Sequence, residues 1–334
     1  MATTIKDVAA MAGVSVGTVS RYLNGYNVSE KNKLKIEEAI KQLDFQINPL
    51  ARSLKTNKSM TVAVVVPELA NIFSMNIIEG IEHKLEKYGY SVIVCNSEGN
   101  VKKEKAKLEF LKRNYVDGIV IMPCSDQGAH ITDVVKEDVP VVLMDRLVND
   151  ANFDAVLVDN VNVVYQAIER LVTLGHRRIG IINGPKNVYT GRERMEGYRR
   201  VFADYKIPID ESLIKYGDYT EETGYALLKE LMQSPAPPTA VFVTNYYMTI
   251  GAMMAINEMN IQIPDQLSFI GFDQLELSKL IKPSLAVIVQ PMAEIGNSAA
   301  DILYKRIRGN GDNFPQIVRL KAQFVEGESI KSLY

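Results

Sequence analysis

Two hydrophobic rhythms divide the chain. Over the first 45 residues apolar side chains recur every three or four positions, whereas beyond residue 60 they gather into short β-branched runs between amphipathic stretches. In the first region Ile5, Val8, Ala9 and Ala12 make one helical stripe, and Thr4 with Asp7 three residues later predicts a reciprocal N-cap. Gly13 supplies a left-handed stop, Val14 a buried turn residue, and Ser15 the cap of a second helix. That helix turns Val19 and Leu23 inward and Val16, Gly17, Ser20 and Arg21 outward. A third helix, capped by Ser29, carries Leu34, Ile36, Ala39, Ile40 and Leu43 as its apolar positions. Two short helices around a glycine turn form a helix-turn-helix, whose second helix enters the major groove of DNA. An ordinary helical hairpin has the same pattern, so the rest of the chain must decide.

The next stretch, FQINPLARSLKTNKS, predicts a short helix from the Asn48 cap through Pro49 to about Thr56. It carries Arg52 and Lys55, exposes Leu50, Ala51 and Leu54, and is too short to be stable alone in water. Such a segment orders when a second copy of itself or DNA covers its apolar side.

From Thr61 onward strands alternate with helices. The runs at 62–66, 91–95, 117–122 and 139–144 form one series, and those at 155–158, 178–182, 240–243 and 267–272 a second. Helices fit between them at 75–88, 102–114, 161–174, 192–205, 220–232 and 248–257. This alternation predicts an α/β body of two lobes, each a parallel sheet covered on both faces. The expected plan is a head at 1–46, a hinge at 47–59 and a body at 60–334. Within the body, the N-lobe takes about 60–159 and 291–320 and the C-lobe about 160–290 and 321–334, with the second sheet beginning near Asp159. Ligands of open parallel sheets bind beyond the carboxyl ends of the strands. There stand Glu68, Asn71–Phe73 and Asp145–Arg146 on one lobe, and Asn183–Gly184, Asn245 and Asp273 on the other. Arg192 and Arg194 open the helix after the loop GPKNVYT. Carboxylates, an arginine, an amide and a ring facing one cleft suit a small polyhydroxylated ligand.

Composition narrows the function classes. The net charge of −2 conceals an asymmetry: residues 1–58 hold nine Lys or Arg against five Asp or Glu, and the remainder 29 against 35. A basic head on an acidic body fits a phosphate-binding module joined to a domain with another task. Cys95 and Cys124 make neither a disulfide framework nor a metal spacing, and the histidines (His83, His130, His176) are scattered. No secretory leader and no membrane span is read, so a cytoplasmic protein without metal or cofactor is expected. The first strand–helix turn, PELANIFS, has no glycine, which removes the dinucleotide and P-loop fingerprints. No serine sits in a nucleophile elbow, and no catalytic residue is assigned.

Residues 4–58 resemble the head and hinge of the lactose-repressor (LacI/GalR) family, through DVAAMAGVS at 7–15, TVSRYLN at 18–24, VS at 28–29 and NPLARSL at 48–54. The body is similar to that family's periplasmic-binding-protein-like body over most of its length. Ile47, where the family usually has proline, and Tyr246, where it commonly has aspartate, are departures. The resemblance implies a homodimer on a near-palindromic double-stranded operator. Val16, Gly17 and Arg21 match base-reading positions, while Thr18, Ser20 and Asn24 position the backbone. Thr4, Ser15, Asn48, Ala51, Arg52 and Lys55 complete the DNA-contacting set, and Leu54 matches a leucine wedged into the central base step. Wedges of this kind kink DNA by about 20–90°. Phe73, Asp145, Thr190, Arg194, Asn245 and Asp273 fall at the family's effector-contacting positions; Asp159, Gly175–Arg178 and Pro264 also match and are read as structural. The implied function is a transcription regulator, a repressor of a carbohydrate-use operon, controlled by a sugar-like effector between the lobes. Two alternatives stay open: control mainly by a phosphorylated carrier protein, and a sugar-binding protein without a regulatory role. The tail after Tyr304 adds no leucine-heptad helix, so a dimer is expected over a tetramer.

Overall fold

Thr4 opens helix α1 (Ile5–Ala12), with its backbone N–H and its hydroxyl both donating to Asp7 Oδ2 at 2.8 and 2.7 Å. Gly13 closes the helix at φ 64°, a conformation that suits a residue without Cβ. Helix α2 (Val16–Leu23) starts at once, its first turn capped by Ser15 Oγ accepting from Thr18 N at 3.1 Å. Helix α3 (Glu30–Gln42) closes a small core of Val8, Ala9, Ala12, Val19, Ile36 and Ala39. Two expectations change here. Ser29 sits at the N-cap of α3 without a side-chain bond to it, and Leu34 is 63% exposed. The stripe runs through 36, 39, 40 and 43, and position 34 falls on the opposite face.

This computed structural model describes residues 3–23, 26–45, 58–135, 139–273 and 275–334, and the chain divides into two compact units, Met1–Ser59 and Met60–Tyr334. The candidate DNA contacts Asn24, Asn48, Ala51, Arg52, Leu54 and Lys55 lie outside the described residues.

The second unit holds two six-stranded sheets. The first contains β1 (Thr61–Val66), β2 (Ser91–Asn96), β3 (Gly118–Ile121), β4 (Val141–Met144), β5 (Asp154–Val158) and β11 (Ile317–Leu320), in the order β11-β5-β4-β3-β1-β2. Its strands are all parallel, and Val64 of β1 pairs with Val94 on one side and Val120 on the other. Burial on both faces explains the continuous valine run: Val62, Val64 and Val66 enter one core, Ala63 and Val65 the opposite one. Helices α4 (Ile72–Glu86) and α12 (Met292–Ile307) cover the first face; α5 (Val101–Arg113) and α6 (Ala129–Val135) cover the second.

The other sheet contains β6 (Ile179–Asn183), β7 (Ile214–Tyr216), β8 (Ala240–Val243), β9 (Ser268–Phe272), β10 (Ala286–Val289) and β12 (Gln323–Val325), ordered β12-β10-β9-β8-β6-β7. Only β12 runs antiparallel in it. Helices α7 (Asn160–Thr173) and α8 (Tyr189–Asp204) pack on one face; α9 (Glu221–Met232) and α10 (Tyr246–Glu258) pack on the other, and α11 spans Leu275–Leu280. The chain passes between lobes three times: at Asp159, at Gln290–Pro291 and at Lys321–Ala322. Asp159 itself caps α7, accepting from Asn162 N, so the second sheet begins at Ile179 and not near Asp159. The short edge strand β7 and helices α6 and α11 were absent from the sequence pattern, being six or seven residues or fewer.

Candidate functional site

The head presents α2 outward. Val16 is 42% exposed, Gly17 and Arg21 are exposed, and Thr18 and Ser20 are half-buried beside them. The Thr18 hydroxyl meets Ser15 Oγ at 2.9 Å, tying Thr18 to the cap. A Cβ on Gly17 would touch only Ser15 Oγ, at an ordinary 3.7 Å, so nothing inside the head demands glycine there. Arg21 is then the one long donor on this face, with the five-donor fork that matches guanine O6 and N7.

In the body, equivalent turns in the two lobes deliver two carboxylates. Strand β4 ends at Met144 and β9 at Phe272; Asp145 and Asp273 follow in left-handed conformations, φ 65° and φ 60°. Each backbone N–H still bonds the neighbouring strand, Asp145 to Val156 O at 2.9 Å and Asp273 to Ile288 O at 2.6 Å. Both side chains are buried. Asp145 Oδ2 lies 3.4 Å from Arg146 Nε, and its Oδ1 has no hydrogen-bond partner among the described residues. Both oxygens of Asp273 accept from Gln290 Nε2, at 3.0 and 3.1 Å, leaving Gln290 Oε1 buried and without a partner among the described residues. Burial pushes the Asp273 carboxyl up to about 6. The Gln290 amide and the Arg194 charge oppose that rise, and the Asp145 carboxylate of the other lobe adds to it.

Arg194 is buried, with Nε donating to Asn160 Oδ1 (2.9 Å), a second nitrogen donating to Thr244 O (2.8 Å), and its guanidinium 4.1 Å from the centre of the Phe272 ring. Thr190 lies in the first turn of α8, its hydroxyl 3.2 Å from that of Tyr219. The sequence reading started this helix three residues late, at Arg192. Val188 stands at its N-cap and makes no side-chain bond, so no capping residue marks the start. Asn245 caps α10 through Oδ1, which accepts from Met248 N at 3.2 Å. Phe73, half-buried at the start of α4, packs against the N-lobe core. Asn183 is occupied inside the C-lobe, donating to Gly191 O and accepting from the Thr244 hydroxyl. Arg192 reaches the other lobe instead of a ligand position.

Gln290 escaped the sequence reading, although the strand-end rule that found Asp145 and Asp273 also selects it: it follows β10 directly. Asn160, Thr244 and Tyr219 carried no signal, because their roles come from neighbours distant in the chain. The resulting site is rich in hydrogen-bond acceptors. A cavity of about 310 Å³ opens beside Asp273, with Ile250, Met253, Met254, Leu285 and Val287 among its apolar lining and Tyr246, Thr249, Asn257 and Ser278 among its polar lining. Among the described residues no group of His, Cys, Asp or Glu could hold a metal ion, and no helix is long and apolar enough to cross a membrane.

Comparison with known proteins adds the following. Residues 4–48 match the family described as bacterial regulatory proteins, lacI family, and residues 59–327 match periplasmic binding proteins and sugar binding domain of LacI family. A curated relative, the HTH-type transcriptional repressor PurR of Vibrio atlanticus (strain LGP32), is 32% identical over 99% of both chains. Catabolite control protein A of Priestia megaterium is 34% identical over 91% of this chain and 92% of its own. Among solved structures, the lac repressor dimer bound to operator and the anti-inducer ONPF superposes with a TM-score of 0.89 at 26% identity, covering 99% of this chain and 100% of that one. A transcriptional regulator CelR–cellobiose complex superposes with a TM-score of 0.75 at 28% identity, covering 98% and 99%.

Proposed function

This chain belongs to the LacI family of bacterial regulatory proteins, and we propose that it represses a carbohydrate-use operon in response to a neutral, hydroxylated effector held between its lobes. It is a DNA-binding transcriptional repressor with a ligand-binding domain, and not an enzyme. The curated relatives carry different names at nearly equal identity, so the effector is argued from the cleft.

One observation carries the reading: two buried carboxylates from opposite lobes, with the acceptors Asp145 Oδ1 and Gln290 Oε1, and the donor Arg146 Nε, left without a hydrogen bond among the described residues. Unpartnered buried acceptors call for a ligand that donates, and hydroxyl groups donate. A phosphate would bring charge towards Asp145 and Asp273, while Arg194 already has two nitrogens bonded within the lobe. A thermal-shift screen of free sugars, sugar phosphates, nucleobases and a phosphorylated carrier protein tests this. A specific ligand at a hundred times its Kd adds about 2.7 kcal/mol of stability. A free sugar is expected to raise the midpoint; a response confined to a phosphorylated ligand, a nucleobase or the carrier protein overturns the assignment.

On the DNA side, each head of a cytoplasmic homodimer reads one half-site with Arg21, and the segment Asn48 to Thr56, with Leu54 as wedge, enters the minor groove between them. Arg21→Ala is expected to relax preference at one base pair per half-site, about 1–3 kcal/mol of discrimination. Binding measured over a set of single-base operator variants checks this; a uniform loss makes Arg21 a phosphate contact.

A further inference from the structure

Five of the six candidate effector contacts, all but Asp273, lie on four short segments, and each of those segments, or a loop braced against it, also bridges the lobes. In the N-lobe, Phe73 follows Ala70, whose carbonyl accepts from Tyr247 OH of the C-lobe at 2.9 Å. Tyr247 is itself two residues after Asn245. On the other side of the body, Arg192 of the C-lobe donates to Asp126 Oδ2 of the N-lobe at 3.1 Å. Arg192 sits on α8 between Thr190 and Arg194. Asp126 belongs to the loop after β3, and that loop is braced against the segment that begins with Asp145. Arg146 donates to Pro123 O at 3.1 Å, and Asn149 donates its backbone N–H to Asp126 O at 2.7 Å and its side-chain amide to Asp126 Oδ2 at 3.3 Å. From below, fully buried Glu104 accepts from Cys124 N at 3.0 Å and bonds His130 Nε2 at 2.5 Å, fixing the same loop to α5. A third set of bridges, Arg319 to Tyr189 OH (3.0 Å) and to Glu193 (3.6 Å), lies next to the chain crossing and belongs to the hinge.

We propose that Arg192–Asp126 and Tyr247–Ala70 are the two clasps through which effector binding sets the orientation of the lobes. The inference rests on the reading of the cleft as the effector site. A ligand that pulls on Asp145 moves Arg146, the Pro123–Asp126 loop and hence the partner of Arg192; one that pulls on Arg194 or Thr190 moves Arg192 itself. Each clasp is therefore strained or relieved by the same contacts that hold the ligand, which is the differential interaction that a population shift requires. The clasps are half-exposed, 39% for Arg192 and 29% for Asp126, so each is weak enough to be overcome.

The test measures lobe separation by pulsed electron spin resonance, with labels at Lys107→Cys on α5 and Glu222→Cys on α9, both exposed. Labelled chain is diluted with unlabelled chain, so that each pair of labels sits in one protomer. The native thiols, buried Cys95 and half-buried Cys124, are replaced by alanine in every labelled chain. Arg192→Ala, Asp126→Ala and Tyr247→Phe are each expected to widen the distance distribution. The Asp126→Ala, Arg192→Ala double variant should match either single one, and exchanging the charges (Asp126→Arg with Arg192→Asp) should restore the parent distribution. Affinity for DNA selected from a random pool by the parent chain should change about twofold to fivefold when the Arg192–Asp126 clasp is removed, the range for exposed ion pairs. Distributions that superimpose on the parent's overturn the proposal, even if the thermal midpoint falls. A parent that selects no DNA sinks the repressor reading, while the distance measurement still decides the clasps.

Discussion

Asp273 shows how one residue links burial to regulation. Its carboxyl, raised to about 6, binds its proton more tightly in the folded chain than in the unfolded one. It therefore contributes stability that is fully present below the ordinary carboxylate range and is lost as the pH rises through about 6. With its carboxyl raised to about 6, Asp273 is a buried carboxylate at neutral pH, which a hydroxyl donated by the proposed effector would relieve. Effector affinity is accordingly expected to fall as the pH drops through about 6, measured by calorimetry with the sugar that the screen returns. Asp273→Asn should remove that step and raise the thermal midpoint at pH 7 relative to pH 5, compared with the parent. Gln290 can turn its unpartnered Oε1 towards the new amide, so the variant keeps a bonded pair. An unchanged pH profile would assign the titration to another group. Of this site Asp145 and Asp273 were legible in the chain, because strand-end position alone selects them. The raised carboxyl was not, because it depends on burial and on Gln290, Arg194 and Asp145, all far away in sequence.

Among the elements, α8 holds the most roles: Thr190 and Arg194 are proposed effector contacts, Arg192 and Tyr189 bridge the lobes, and Tyr198 and Phe202 fill the C-lobe core. It can do this because Gly197 lets α7 approach closely; a Cβ there would come within 2.5 Å of Val161 O. Gly197→Ala is expected to push the helices apart at a cost of about 1–3 kcal/mol, read as a lower thermal midpoint. The same shift displaces Arg194 from Asn160, a residue of α7, so effector affinity should weaken with stability. Loss of stability with full effector affinity would separate the crossing from the site. The strands were readable because β-branched runs buried on both faces leave an unbroken apolar signal, as in Thr61–Val66. The start of α8, the edge strand β7 and helices α6 and α11 were not, since each lacks a cap or the length that periodicity needs.

At the scale of the whole molecule, the division at Ser59–Met60 separates a small basic head from a body with its own cores. Residues 60–334 expressed alone are expected to unfold cooperatively and to keep the sugar-induced rise in midpoint of the full chain, without binding operator DNA. Loss of the ligand response would mean that the head completes the effector site. Three crossings join the two lobes of the body, each through a one- or two-residue connection outside the strands and helices. The last two residues before β12 carry the chain over after Leu320 has already paired with Val158. That arrangement leaves each sheet intact on its own side of the crossings.

The order of residues alone determined the helix-turn-helix, the doubled α/β plan and the two strand-end carboxylates. Caps, periodicity and strand ends are local, so they are written in neighbouring positions. Only the tertiary structure decided that Arg192 reaches Asp126, that Tyr247 reaches Ala70, that Gln290 sits on Asp273, and that Arg194 is held by Asn160 and Thr244. Those contacts join residues between 17 and 177 positions apart. No periodicity records a partner brought in by the closing of two sheets, and the electrostatics of the cleft follow from those partners.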